Sequence, residues 1–301
     1  MPTTPHLYPS GDVHFTDDRL SAGVRFAHIT DLHLQPVNEK DRPAEYRHGI
    51  EWWEKDFAYP LKILPGLLDE VRDAGVDFVF FGGDTLDVYD AATADYVVQL
   101  CSQRGLECHF QMGNHDMEDM HTRYVTHACD AQARASGVAR LKEHWDMPHR
   151  YYSFDRGGVR FIALDVQYGP TGSGNAGYFD DEQVQWLPAQ LDFPGPIVIF
   201  HHVPFNLPTL TERMRLIWHG GEAWIAEEPN TRAVIDSLTA CPNVFATFTG
   251  HTHMRSEDRL SEHCHQFMTG PGGYGHWRRI IISPLPAPKS LRIGGTPVID
   301  M

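Results

Sequence analysis

Asp31-Leu32-His33, Gly83-Asp84, Gly113-Asn114-His115-Asp116, His201 and Gly250-His251-Thr252-His253 form an ordered series of metal-type ligands. Carboxylate, imidazole and amide oxygen together suit borderline ions such as Zn, Mn and Fe. None of these blocks supplies the thiolate cluster of a structural zinc site. Asp31, His33, Asp84, Asn114, His201, His251 and His253 are too many ligands for one tetrahedral ion. They fit two divalent or mixed-valence ions that share one carboxylate. Two-metal hydrolytic sites hold their ions roughly 3.5–4 Å apart, polarise a phosphoryl oxygen and generate hydroxide near neutral pH.

Such distant residues need elements that deliver them to one place. Four of the five blocks end an apolar run: VRFAHIT before Asp31, VDFVFFGG before Asp84, PIVIF before His201 and VFATFTG before His251. Asn114 follows the mixed stretch LECHFQMG. A short apolar run bounded by Gly and polar residues reads as a buried strand of a largely parallel sheet. The carboxyl ends of such strands line the ligand crevice. Strands are expected near 24–30, 77–82, 106–112, 264–269, 279–283 and 290–293, with a hairpin in YYSFDRGGVRFIALDV. Helices are expected near 61–74, 91–103 and 229–239 and in DEQVQWLPAQL, and residues 116–146 read as mostly helical. Alternating strands and helices signal α/β layering.

In the order D-x-H, G-D, G-N-H-[DE], a lone His after a strand, and G-H-x-H, residues 26–253 resemble the calcineurin-like metallophosphoesterase superfamily. The resemblance implies an α/β sandwich of two mixed β-sheets flanked by helices. It implies that Asp31, His33 and His253 hold one metal, that Asn114, His201 and His251 hold the other, and that Asp84 bridges. His115 would stand beside the leaving-group oxygen as general acid or transition-state hydrogen-bond donor, with a metal-bridging hydroxide as nucleophile. Period-2 alternation sends His201 and His202 to opposite faces, so one of them is expected to bind. Family members usually place the ligand first after the strand, which favours His201 and leaves His202 behind it or buried and hydrogen-bonded. Asp116 either hydrogen-bonds the His115 imidazole or caps the following helix. Asp87, Asp90 and Asp165 read as residues behind the ligands or at helix caps.

The chain of 301 residues, 42% hydrophobic and 22% charged, reads as one domain over 1–301, with a cap from residues 35–60 and 116–146. No run of eighteen apolar residues occurs, and MPTTPHLYPSGDVHF has neither the basic nor the apolar region of a secretory signal. A cytoplasmic enzyme with no membrane partner is therefore expected. Five cysteines without C-x-x-C spacing argue against a disulfide framework. The net charge of −15, with basic residues scattered, makes long nucleic acids poor partners. A small phosphoester remains suitable, because two cations attract it locally. Oligomeric state is open, a homo-oligomer included.

Residues 35–60, with Tyr46, Arg47, His48, Trp52, Trp53 and Phe57, read either as a lid or as a short amphipathic helix packing its aromatics on the domain. In 269–278, Tyr274, His276 and Arg278 either reach a phosphate or leaving group or sit in a glycine-rich turn between strands. That turn lacks the G-K-[ST] ending of a P-loop.

The favoured function is hydrolysis of a small cyclic or glycerol-type phosphodiester. The resemblance leans to the bacterial branch of class III cyclic nucleotide phosphodiesterases and glycerophosphodiesterases. A phosphomonoesterase, including a protein phosphatase, would use the same metals with different pocket walls. A non-catalytic binding scaffold would be expected to have lost ligands, and none is missing. A metallo-β-lactamase-type hydrolase needs H-x-H-x-D-H, which Gly250-His251-Thr252-His253-Met254-Arg255 does not supply.

Overall fold

Phe78-Val79-Phe80-Phe81 is buried at every position, as is Val198-Ile199-Phe200. Runs of this kind need cover on both faces, and a sandwich of two sheets with helices outside provides it. A computed structural model has this architecture and describes residues 6–7, 12–126, 131–166, 177–217, 224–225 and 227–284.

One sheet holds β1 (His6–Leu7), β2 (Val13–Thr16), β3 (Val24–Ile29), β4 (Phe78–Gly82), β5 (Cys108–Gln111) and, from late in the chain, β12 (Arg278–Ser283). Its order is β1-β2-β12-β3-β4-β5. The neighbours β3, β4 and β5 are parallel, whereas β12 runs antiparallel to β3 and pairs Ile280 with Phe26. The other sheet holds β6 (Tyr152–Arg156), β7 (Val159–Leu164), β8 (Ile197–His201), β9 (Val244–Thr249), β10 (Ser256–Arg259) and β11 (His265–Met268), in the order β10-β11-β9-β8-β7-β6. There β7, β8, β9 and β11 are mutually parallel, and the β6–β7 hairpin and β10 are antiparallel.

The sheets meet through phenylalanines. Phe26 lies edge-on to Phe161, Phe200 and Phe248 at 5.4, 5.7 and 5.7 Å, and Phe80 stacks on Phe200 at 3.6 Å. Side chains alternate between faces along β8. Val198 and Phe200 join this central core, while Ile197 and Ile199 join a second cluster with Leu187, Val234 and Leu238.

The helices are α1 (Arg47–Asp56), α2 (Pro60–Asp73), α3 (Ala91–Gln103), α4 (Ala131–His144), α5 (Asp181–Leu191), α6 (Pro208–Ile217) and α7 (Pro229–Ala240). Leu64, Leu67 and Leu68 of α2 and Val97 of α3 pack into the central core, and Leu187 of α5 and Val234 of α7 into the second. Asp90 caps α3 by accepting from Thr93 N at 2.9 Å, the capping role read for it from sequence. Segment 35–60 contains α1, and 116–146 resolves into a helical turn at Thr122–Thr126 and α4. The short strands β1, β2 and β10 and helix α6 add to the elements expected from sequence, and the strand expected near 290–293 lies outside the described residues. No helix among the described residues is long and apolar enough to cross a membrane.

Candidate metal centre

The loops after β3, β4, β5, β8 and β9 converge at one rim of the sandwich. Beyond β3 and β4 the pairing continues through the loops: Asp31 N donates to Gly83 O at 3.0 Å, and His33 N to Asp84 O at 2.9 Å. Gly250 N donates to His202 O at 2.9 Å, joining the β8 and β9 loops. Asp31, His33, Asp84, His251 and His253 all have φ between 50° and 69°. Only three other non-glycine residues among those described, Ala58, Tyr59 and Asp146, have positive φ. Asp and His enter this left-handed region more readily than most residues, but at a cost. Side chains placed there leave the strand direction and turn across the rim.

Two groups result. Asp31, His33 and His253 bring donor atoms within 4.8 Å of one another, as do Asp84, His202 and His251. Asp84 also reaches the first group, its Oδ2 lying 3.7 Å from His33 Nε2 and 3.1 Å from His202 Nε2. His33 Nε2 faces His253 Nε2 at 3.1 Å, and Asp31 Oδ1 is 3.6 Å from His253 Nε2. Asn114 Oδ1 is 3.1 Å from His251 Nδ1.

The sequence preference for His201 is corrected by this geometry. Alternation puts His201 on the Ile199 side of β8, where its ring packs 4.4 Å from Phe205 and its Nδ1 bonds Val203 O at 2.7 Å. Burial lowers its pKa to about 4. His202 follows Phe200 to the inner face, and its Nδ1 bonds Gly82 O at 2.8 Å, which aims Nε2 at Asp84. The other six expected ligands are brought together.

The calcineurin-like phosphoesterase family matches residues 24–255. The chain belongs to that family. Solved structures of similar fold include a dimetal phosphatase from Danio rerio, 16% identical, with a TM-score of 0.50 over 82% of this chain and 87% of that one. A purple acid phosphatase from yellow lupin seeds is 12% identical, with a TM-score of 0.51 over 93% of this chain and 58% of that one. GAP50 of Plasmodium is 14% identical, with a TM-score of 0.50 over 84% and 73%. None of the curated proteins compared is significantly similar in sequence. Family membership makes this chain a metallophosphoesterase, in which a binuclear metal site and a phosphoester substrate are expected.

The donor set of this metallophosphoesterase fits divalent ions. Metal–ligand bonds of about 2.0–2.2 Å put neighbouring ligand atoms roughly 3–3.6 Å apart, close to the separations between these side chains. The electrostatics agree. Burial raises Asp31 to about 6. Burial also opposes ionisation of Asp84, but His202, His115 and His33 outweigh it and hold the carboxyl well below the usual range. His202 is pushed the other way: burial would neutralise it, yet Asp84 and Asp31 lift it to about 9. Two buried carboxylates beside each other call for positive charge, which cations held there would supply.

The supporting residues were only partly visible in sequence. Asp116, fully buried, accepts from Asp84 N at 2.8 Å, Gly113 N at 2.6 Å and Leu86 N at 2.8 Å. It therefore ties the β4 and β5 loops together; neither the imidazole contact nor the helix cap considered for it is what it makes. Asp87, also fully buried, takes the place read for it behind the ligands. Its Oδ1 meets His33 Nδ1 at 3.1 Å, and the carboxylate also accepts from Gln35, Arg123 and Tyr124. A carboxylate behind a ligating imidazole fixes its tautomer and orientation. Gly113 is needed for space, since a Cβ there would strike the Asp84 carboxylate. Asp165 sits elsewhere, paired with Arg150 at 2.8 Å.

His115 stands at the edge of the cluster. Its N–H on the backbone donates to Asp84 Oδ1 at 2.9 Å, and its Nε2 lies 3.9 Å from Asp84 Oδ2. Burial lowers the imidazole pKa to about 3. One side of the site is aromatic. Phe57 stacks 4.5 Å from His33, Trp53 lies 6.0 Å from the same ring, and Arg123 covers Trp53 at 4.3 Å. Residues 272–274 close against the D-x-H loop, Gly272 N donating to Thr30 O and Gly273 N to Asp31 O. Tyr274 stacks on Phe57 at 5.4 Å, whereas Arg278 is buried and donates to Met268 O at 2.9 Å.

Proposed function

We propose that this chain hydrolyses a small phosphodiester at a two-metal centre. Asp31, His33 and His253 would hold one ion, Asn114, His202 and His251 the other, and Asp84 would reach both. When bound, a pair of Mn, Fe or Zn ions supplies Lewis-acid polarisation of the phosphoryl group and activates water near neutral pH. The observation that carries the reading is Asp84, whose one carboxylate oxygen lies within 4 Å of imidazoles from both groups.

The chain's own residues do the rest. His33 is held by Asp87, and His202 by Gly82 O, so that each turns one ring nitrogen inward. The His115 imidazole, at the cluster's open edge, donates a hydrogen bond to the leaving-group oxygen. Two features favour a diester. The guanidinium of Arg123 is engaged by Asp87 and stacked on Trp53, so it adds little charge to meet a dianionic monoester. Trp53 and Tyr274, packed on buried Phe57, offer an apolar surface for a second ester arm.

With Mn²⁺ present, turnover of bis-p-nitrophenyl phosphate should exceed that of p-nitrophenyl phosphate. A much faster monoester reaction would reverse the choice between them. His115→Ala should keep its metal and lose rate, most for poor leaving groups. Loss of metal in that variant would refute the role given to His115.

A further inference from the structure

Whether His115 can donate to a leaving group depends on which ring nitrogen carries its proton. A neutral imidazole has one N–H and one lone pair. To donate from Nε2, which lies 3.9 Å from Asp84 Oδ2, the ring has to accept at Nδ1. Nδ1 is buried and has no hydrogen-bond partner among the described residues. Two carboxyl groups face it: Asp87 Oδ1 at 3.6 Å and Glu118 Oε2 at 3.9 Å.

Asp87 is already engaged. Its Oδ1 accepts from His33 Nδ1 and from Nε and Nη2 of Arg123, and its Oδ2 accepts from Gln35 and Tyr124. A carboxylate paired with a guanidinium has no proton to give, and it repels a lone pair turned toward it. Facing Asp87 alone, the ring would place its proton on Nδ1 and turn a lone pair to the leaving group. Glu118 differs. Its carboxyl makes no hydrogen bond among the described residues, and only 16% of the side chain is exposed. Its backbone is held from two sides: Glu118 N donates to His115 O at 3.0 Å, and Tyr89 N donates to Glu118 O at 2.7 Å. Burial raises the carboxyl to about 7, with Asp84 and Asp87 adding to the effect against Arg123 and Arg134. The group thus keeps a proton near neutral pH.

We infer that Glu118 is the positioning residue of His115, its carboxylic acid donating to Nδ1 so that the ring's own proton stays on Nε2, where the leaving-group oxygen is met. This inference rests on the proposed phosphoesterase reading. The 3.9 Å gap needs about 1 Å of side-chain movement to become a hydrogen bond. Catalytic hydrogen bonds are often long before substrate arrives. A bond received at Nδ1 also polarises the ring, which makes Nε2–H the stronger donor.

The test reads the ring directly. In Zn²⁺-loaded protein labelled with ¹⁵N-histidine at pH 7, long-range proton–nitrogen correlation separates the two tautomers by their nitrogen shifts. His115 is identified by the signal that His115→Ala removes. The unsubstituted protein should show His115 protonated at Nε2 alone. Glu118→Ala should move the proton to Nδ1, and Glu118→Gln, whose amide N–H replaces the acid as donor, should return it to Nε2. Rates should follow. With Mn²⁺, Glu118→Ala should lower kcat for methyl phenyl phosphate about a hundredfold, and far less for methyl p-nitrophenyl phosphate, at unchanged KM and metal content. Glu118→Gln should recover most of that loss. A proton on Nδ1 in the unsubstituted protein would overturn the assignment, as would an unmoved tautomer in Glu118→Ala. So would a Glu118→Ala variant that slows both esters equally or loses its metal, because that marks support of the fold alone. If neither ester is cleaved and the tautomer still follows Glu118, the phosphoesterase reading fails and the assignment of Glu118 stands.

Discussion

Replacing Asp116 probes whether the β4 and β5 loops hold Asp84 in place through one buried carboxylate. Its Oδ2 accepts two backbone N–H groups, from Asp84 and Gly113, and its Oδ1 accepts a third from Leu86. Alanine strands all three in a region closed to water. A buried donor left unsatisfied costs about 1–3 kcal/mol, so Asp116→Ala should lose about 3–9 kcal/mol. That rivals the total stability of a domain, and Asp116→Asn is therefore the decisive variant. Its amide oxygen can keep the two-donor side, which leaves an NH₂ facing Leu86 N and costs about 1–3 kcal/mol. The Asp84 carboxylate is then positioned less tightly, although His115 N still donates to it. Loss of such support lowers metal affinity by about 10–100-fold. Urea unfolding with and without Mn²⁺, together with competitive metal titration, measures both effects. An Asp116→Asn protein with an unchanged urea midpoint and unchanged metal affinity would refute the argument.

His202→Ala should lower the metal content measured by elemental analysis, whereas His201→Ala should retain metal and lose only stability; the opposite pattern would restore His201 as the ligand. Asp87→Ala removes the acceptor behind His33 Nδ1 and the partner of Arg123, whose side chain is 12% exposed. Metal affinity should fall about 10–100-fold and stability by about 3 kcal/mol, and a variant with wild-type metal titration would show that His33 needs no such support. His28 gives a pH test away from the ligands. Burial pushes it from 6.5 to about 3, so below pH 6.5 the unfolded chain takes up a proton that the folded chain refuses. Stability from this group is full above pH 6.5 and falls by up to about 1.4 kcal/mol per pH unit toward pH 3. His28→Phe keeps the ring beside Phe200 and Phe248 but loses the 2.8 Å bond to Thr269. It should be less stable at pH 8 and should decline less steeply between pH 6.5 and 5; parallel curves would contradict this.

Much of the site was legible because the chemistry sits at the ends of apolar runs. The buried β3, β4, β8 and β9 needed cover on both faces, and their ends fixed where Asp31, Asp84 and His251 emerge. The four-residue strands β2 and β10 are too short to carry such a signal; their identity comes from pairing with β12 and β11. The choice between His201 and His202 shows where a motif stops and geometry begins. Alternation along β8 already assigned Ile199 and Phe200 to different faces, and carrying it two residues further puts His202 with Phe200. What the sequence lacked was which face looks toward the other sheet. Asp87 and Asp116 were visible as carboxylates near strand ends, but their partners, His33 and the backbone of Asp84, lie 54 and 32 residues away.

The left-handed residues explain why the motifs have the spacing they do. In extended chain, residues two apart share a face and stand roughly 6.6 Å apart. Asp31 and His33 both have positive φ, and their donor atoms fall within one group of 4.8 Å. His251 and His253 have the same spacing and the same sign of φ, yet they divide, His251 joining Asp84 and His253 joining Asp31. One interval therefore serves two ends: in D-x-H it concentrates ligands at one position, and in H-x-H it links two. Each such residue costs about 1–3 kcal/mol, which isolated loops would relax away. Here the hydrogen bonds of Asp31 N to Gly83 O and His33 N to Asp84 O, with Asp116 beneath, leave the backbone no alternative path. The strain is confined to the rim, where the phenylalanine-packed sandwich below supplies the stability to hold it.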